Sequence, residues 1–97
     1  MPTYIMLMRY TQQGIEKIKE GPSRLDTSKK EFESMGAKII AMYLVTGRYD
    51  TIVVAEAPND ETIAKLMLKV GSKGAVRSET LRAFPENEFR KIVAGIS

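Results

Sequence analysis

The chain alternates short apolar runs with amphipathic segments, and this pattern predicts four strands. Residues 3–10 (TYIMLMRY) are a continuous apolar run with β-branched and aromatic side chains, which is typical of a strand. Residues 37–46 (AKIIAMYLVT) and 51–57 (TIVVAEA) have the same character and predict a second and a third strand. Residues 75–84 (AVRSETLRAF) predict a fourth strand, which is more polar than the others.

Helical spacing of apolar residues fills the segments between these strands. The helical segment after the first strand begins at Thr11, a predicted N-cap, and ends at Gly36. The pair Gly21-Pro22 interrupts this segment. Before the fourth strand, apolar residues recur at i, i+3, i+4 and i+7, with Asn59 as the expected N-cap and Gly71 as the expected end of the helix. Pro85 introduces a short terminal helix.

This order of elements predicts one fold. A β-α-β-β-α-β sequence with a tail helix is the ferredoxin-like plan of the α+β class, with a four-stranded antiparallel sheet and both main helices on one face. The 97 residues fit one domain, which spans residues 1–97.

The strands predict a second protomer, because their apolar residues occupy both faces of the sheet. In the first strand, Tyr4, Met6 and Met8 share one face, and Ile5 and Leu7 share the other. Strict alternation gives the next two strands two apolar faces as well. In the second strand, the two faces are Ile39, Ala41, Tyr43 and Val45 on one side and Ile40, Met42 and Leu44 on the other. In the third strand, they are Val53 and Ala55 on one side and Ile52 and Val54 on the other. A whole apolar face is more than a monomer exposes, so we expect a homodimer or higher homo-oligomer through the sheet face. The alternative is that the tail helix folds back over this face.

Composition narrows the chemistry that is available to this fold. The sequence has no cysteine and no histidine, which excludes thiol nucleophiles, disulfides, imidazole catalysis and the usual zinc sites. We expect no cofactor and no metal site. The net charge of +3 is scattered among acidic residues without a basic stripe, so no nucleic-acid partner is expected. No apolar run is long enough to span a membrane and no signal peptide is evident, which favours a cytoplasmic protein.

The connection between the second and third strands carries a short motif. Gly47-Arg48-Tyr49-Asp50 predicts a β-hairpin turn in which Gly47 supplies a positive φ and the Asp50 carboxylate caps the turn. In the functional interpretation, Tyr49 and Asp50 instead form a pair at the rim of a pocket. No turn-forming role is evident for Arg48.

Several separated blocks of the sequence resemble the GYD-domain family. They are this turn motif together with residues 10–15 (YTQQGI), 22–24 (PSR), 56–58 (EAP) and 76–84 (VRSETLRAF). The resemblance covers nearly the whole chain and implies a ferredoxin-like fold of the dimeric α/β-barrel type. It implies no established activity.

Charged positions inside the predicted strands are candidate site residues, because a buried charge is costly unless it is paired. They are Arg9, Glu56, Arg77, Glu79 and Arg82. We predict a ligand site at the sheet that takes an anion or a polar aromatic small molecule, formed by Arg9, Tyr43, Glu56, Arg77 and Glu79. The alternative is a salt-bridge network at an edge strand or an interface.

The favoured function is therefore a homo-oligomeric small-molecule-binding or regulatory protein. Other dimeric α/β-barrel proteins include cofactor-independent monooxygenases and isomerases, and this resemblance supplies the alternative of an enzyme. Its chemistry would use Glu56 or Glu79 as the base and Tyr43 or Tyr49 as the proton donor. A purely structural role in an assembly is the third possibility.

Overall fold

The computed structural model describes residues 1–97 and contains four strands and four α-helices. In chain order they are β1 (Thr3–Tyr10), α1 (Gln12–Glu16), α2 (Gly21–Ser34), β2 (Lys38–Leu44), β3 (Thr51–Glu56), α3 (Asp60–Ser72), β4 (Val76–Ala83) and α4 (Glu86–Ala94). A 3-10 turn, Ile18–Glu20, joins α1 to α2. No helix has the length and apolar composition that crossing a membrane requires.

The strands form one antiparallel sheet in the order β2-β3-β1-β4, which confirms the ferredoxin-like α+β plan. The core lies between one face of this sheet and the helices α2 and α3. Met6 of β1, Ala55 of β3 and Leu66 of α3 are fully buried there, together with Phe32 of α2. The helix layer thus covers one face of the sheet only.

The predicted caps at the two helix starts are present. The Thr11 side chain accepts a 3.0 Å hydrogen bond from the backbone N–H of Gly14, and Asn59 Oδ1 accepts one of 2.9 Å from Thr62. Gly36, which follows the C-cap residue Met35 of α2, has a φ of 74°, as expected for a left-handed residue at the end of a helix. The expectation for Gly71 is wrong, because α3 continues through it to Ser72 and Gly74 takes the positive φ.

The prediction of the faces of β2 is also wrong, because a β-bulge interrupts the alternation. Ile39 pairs with Ala55 of β3, but Ala41 pairs with the next residue, Val54, so that Ile40 is the additional residue. Beyond the bulge, Met42 shares the helix-covered face with Ile39. Strict alternation had placed these two residues on opposite faces.

Helix α4 does not cover the sheet. Four apolar residues lie along it and the chain end, and all are between 47% and 72% exposed, namely Phe89, Ile92, Val93 and Ile96. The Cα extents of 52 × 31 × 18 Å describe an elongated molecule, and a 3.7 Å ion pair from Glu88 to Arg82 joins α4 to the edge strand β4. The alternative in which the tail helix folds back over the sheet is therefore wrong for the single chain.

Candidate functional site

The face of the sheet that turns away from α2 and α3, here called the open face, is apolar in its middle. The strand register aligns two rows of residues across all four strands on this face. These rows are Ala41, Val54, Ile5 and Leu81, then Tyr43, Ile52, Leu7 and Glu79. Tyr43 on β2 and Leu81 on β4 lie on the two edge strands, beside the central strands. Both side chains are largely exposed, at 58% for Tyr43 and 42% for Leu81.

A polar cluster, here called the arginine cluster, lies at one end of the open face and consists of Arg9, Arg48, Tyr49, Arg77 and Glu79. Arg9 of β1 pairs in register with Arg77 of β4, and Leu7 with Glu79. The Tyr49 hydroxyl donates a 2.6 Å hydrogen bond to Glu79 Oε2. The Arg9 guanidinium carbon lies 4.9 Å from the centre of the Tyr49 ring, within the range of a cation–π interaction.

The turn between β2 and β3 holds this cluster at the end of β1. Gly47 has a φ of 124°, a conformation that L side chains rarely adopt. The Asp50 carboxylate accepts a 2.9 Å hydrogen bond from the backbone N–H of Tyr10, so it attaches the turn to β1 and does not cap the turn itself. The Arg48 carbonyl accepts a 2.6 Å hydrogen bond from Arg9 Nε.

The electrostatics of the cluster keep Tyr49 protonated. The hydrogen bond to Glu79 and partial burial raise the pKa of the Tyr49 phenol above its ordinary value, because ionisation would place two negative charges side by side. Arg48 and Arg9 oppose this rise. At neutral pH the phenol is therefore a donor that is already bound to Glu79.

The five residues predicted as one ligand site are spread along the sheet. Arg9, Arg77 and Glu79 come together at the arginine cluster. Tyr43 stands on the edge strand β2 at the opposite side of the same face. Glu56 pairs in register with Thr3 at the start of β1, and six residues of extended chain from Thr3 to Arg9 correspond to roughly 20 Å.

The geometry also bears on the roles named for an enzyme. Glu79 as base and Tyr49 as proton donor are hydrogen-bonded to each other on the surface of the molecule. The atoms that would exchange protons with a substrate, the Tyr49 hydroxyl and a Glu79 carboxylate oxygen, are therefore already hydrogen-bonded to each other. No group of three acidic side chains comes close enough together to hold a metal ion.

Sequence inspection missed that Tyr49 and Glu79 form a pair. The two residues are 30 positions apart, and no short motif joins them. The topology supplies the missing signal. The hairpin returns the chain to the end of β1, and β4 runs antiparallel to β1 beside that end, so the turn and Glu79 become neighbours.

The profile of the GYD domain matches residues 4–93, which is almost the whole chain. The chain belongs to the GYD-domain family. A relative from Thermus thermophilus is named as a glutamine synthetase and cystathionine beta-lyase binding protein. It is 38% identical to this GYD-domain protein over 86 residues, which cover 88% of this chain and 90% of the relative.

Solved structures share the fold of this GYD-domain protein. A crystal structure of a Thermus thermophilus protein is similar, with a TM-score of 0.55 and 23% identity over 87% of this chain and 94% of that one. The leucine response regulatory protein of Mycobacterium tuberculosis has a TM-score of 0.56 and 12% identity over 86% of this chain and 50% of that one. These similarities support the ferredoxin-like fold.

Proposed function

We propose that this GYD-domain protein is a regulatory protein that acts by binding other proteins, and that it does so as a homodimer formed through the open face. The observation that carries the proposal is the open face itself. It presents aliphatic residues of all four strands with no element of the chain packed on them. The name of the relative, a binding protein for two enzymes, supports the protein-binding role.

A second copy is the occupant that suits the open face best. Two such faces can stack with their apolar side chains interdigitated, as two sheets do in a sandwich. A two-fold axis would place Leu7, Ile52 and their neighbours against the same residues of the other copy. The exposed apolar side of α4 then has a neighbouring protomer against which it can pack.

The dimer is tested by light scattering of the chain eluting from a size-exclusion column. We expect a mass of about 22 kDa, twice the chain mass of 10.9 kDa. Leu81→Lys places a charge on the open face at an edge strand and should yield monomers. Leu68→Lys is the matched control, because Leu68 is 76% exposed on α3, in the helix layer. A wild-type protein that elutes as a monomer at micromolar concentration contradicts the dimer.

The partner enzymes are proposed from the relative and from the charge of the arginine cluster. In the cluster and its supporting turn, Arg9, Arg48 and Arg77 outnumber the carboxylates of Glu79 and Asp50. The cluster lies at the end of the open face, where it would border a dimer interface. We therefore propose that it contacts an acidic surface of glutamine synthetase or cystathionine beta-lyase from the same organism.

Surface plasmon resonance with each purified enzyme tests this contact. Arg77→Ala should weaken binding by about tenfold, since it removes one charge-assisted contact. Lys30→Ala, an exposed cation on α2, should change binding by less than about twofold. The Arg77→Ala variant should remain a dimer, which separates partner contact from assembly. Absence of binding to both enzymes contradicts the proposal.

Small-molecule binding at the open face stays a prediction. The part of the predicted site that comes together is the arginine cluster, where the guanidinium groups of Arg9 and Arg77 face a shared surface. An anionic small molecule would compete there with an acidic protein surface. We would detect this competition as a loss of enzyme binding that scales with ligand concentration.

A further inference from the structure

A cavity of about 350 Å³ separates α2 from the helix-covered face of the sheet. Its floor includes Met8 of β1, Met42 of β2 and Thr51 and Val53 of β3. This floor lies on the side of the sheet opposite to the open face, so the cavity is distinct from the arginine cluster and from the proposed dimer interface. The volume is in the range of small-molecule sites in proteins.

The sequence of α2 explains why this space is not filled. Leu25, Ser28 and Phe32 follow one another at helical spacing along the wall of the cavity. Phe32 is buried and closes the core, but the small side chain of Ser28 leaves the space between it and Leu25 open. A large aliphatic residue at position 28 would be the ordinary choice for a helix that only covers a sheet.

The lining of the cavity specifies the kind of molecule that fits. Most of it is apolar, and the thioethers of Met8 and Met42 can adapt to the shape of a guest. Thr51 is the polar exception on the floor, at 4% exposure. A guest with a hydrocarbon body is therefore favoured, with room for one polar group.

Two cations border the cavity, and only one of them is firmly paired. Lys73 Nζ lies 2.5 Å from Glu31 Oε1, a carboxylate whose side chain is 15% exposed. Arg24 Nη2 lies 3.6 Å from Oε1 of Glu20, which stands one helical turn earlier in the chain. The Glu20 side chain is 61% exposed. This distance exceeds that of a good hydrogen bond, so Arg24 keeps donors for another carboxylate.

We propose that this cavity binds a compact hydrophobic monocarboxylate. Its hydrocarbon body lies between the sheet and Ser28, and its carboxylate replaces Glu20 as the partner of Arg24. The proposal goes beyond the protein-binding function, and it does not depend on the dimer or on the arginine cluster.

The test uses the full chain with ¹³C-methyl methionine and the probe 4-phenylbutyrate, with 4-phenylbutan-1-ol as the uncharged match. Two of the six methionines, Met8 and Met42, line the cavity. We expect their methyl signals to shift on titration and that of Met67, which is buried on α3 and does not line this cavity, to stay in place. Shifts confined to other methionines, or no saturable shift, overturn the proposal.

Variants separate the body of the guest from its charge. Ser28→Leu should weaken binding of both probes by about tenfold, because it fills the cavity. Ser34→Leu, the same change at an exposed position of α2, should leave binding unchanged. Should Ser28→Leu fail to fold, Ser28→Val provides a smaller filling. Arg24→Gln should weaken binding of the acid by about fivefold and leave binding of the alcohol unchanged. Equal binding of acid and alcohol to the wild type overturns the assignment of a carboxylate.

Discussion

Gly14 lies directly against the carbonyl group of Ala75, so that a β-carbon at Gly14 would overlap the Ala75 oxygen. The same oxygen accepts a 3.0 Å hydrogen bond from the backbone N–H of Thr11, which fixes the start of α1 against the start of β4. Because the contact joins the backbone of Gly14 to the backbone of Ala75, no side-chain rotation can relieve the overlap, and the main chain would have to shift. We predict that Gly14→Ala lowers the free energy of unfolding by about 3 kcal/mol, measured by urea denaturation.

Gly71 provides the control for this prediction. It lies inside α3, and a β-carbon there meets no atom within 4 Å. Gly71→Ala should therefore raise the free energy of unfolding by about 0.5–1 kcal/mol, through helix propensity alone. Similar losses for both variants would contradict the role given to the Gly14 contact.

Tyr4 gives the stability of the protein a dependence on alkaline pH. Burial first, and then a hydrogen bond to the Asp60 carboxylate, raise the pKa of the Tyr4 phenol above its ordinary 10.0. Because the folded-state pKa is the higher one, this contribution is complete below pH 10.0 and is lost as the pH rises through the folded-state value. Tyr4→Phe should cost about 1–2 kcal/mol at neutral pH and progressively less in alkali. Urea denaturation across this pH range measures the difference, and Tyr43→Phe, on the open face, is the control for the loss of a tyrosine hydroxyl.

Glu31 gives stability the opposite dependence, at acid pH. The hydrogen bond from Lys73 holds the pKa of the Glu31 carboxyl below its ordinary 4.5, against the effect of burial. Its contribution is therefore present above pH 4.5 and is lost as the pH falls through the folded-state value. Glu31→Gln should cost about 1 kcal/mol at neutral pH and nothing in strong acid. Glu33→Gln, exposed on the same helix, is the control, and an equal loss for both would exclude this role of the Lys73 pair.

The pair of Tyr49 and Glu79 can be observed directly by NMR titration of ¹³C-labelled tyrosine rings. Since the Glu79 carboxylate raises the pKa of Tyr49, Glu79→Gln should lower that pKa toward 10.0. Tyr4, on the other face of the sheet, serves as an internal reference whose titration should not move. An unchanged titration of Tyr49 would mean that the two side chains are not joined in solution.

Removal of residues 86–97 separates folding from assembly. Helix α4 contains no buried residue, so its removal should change the free energy of unfolding of a monomeric Leu81→Lys background by less than about 1 kcal/mol. In the wild-type background, the same truncation should weaken self-association, measured by the concentration dependence of mass in light scattering. A truncated chain that no longer folds in the monomeric background would contradict the independence of the sheet from α4.

Local signals predicted the architecture well, and they failed where distant parts of the chain decide the outcome. The apolar run of β1, the cap at Asn59 and the positive φ of Gly36 depend on neighbours in sequence, and all three were predicted correctly. The bulge at Ile40 depends on pairing with β3, and the end of α3 depends on where β4 begins. The alternation of apolar residues could not predict the bulge, and the position of a glycine could not predict the end of α3.

The candidate site shows the same division. The charged positions of β1 and β4 were visible in the sequence, and so was the turn motif. That Tyr49 joins Glu79, and that Glu56 lies at the far end of the sheet, follow from strand order and register. The cavity behind Ser28 depends on how far α2 stands from the sheet, and residue type does not specify that distance.

The bulge in β2 also affects how this protein can aggregate. β2 and β4 are the edges of the sheet, and an edge strand with regular, unpaired backbone groups is a template for another chain. The bulge at Ile40 breaks that regularity on one edge, and Arg77, Glu79 and Arg82 place charges along the other. The open face therefore stays available for the proposed dimer, while both edges resist the addition of strands. Self-association that uses the surface and not the edges ends in a closed complex, whereas edge pairing would continue into fibres.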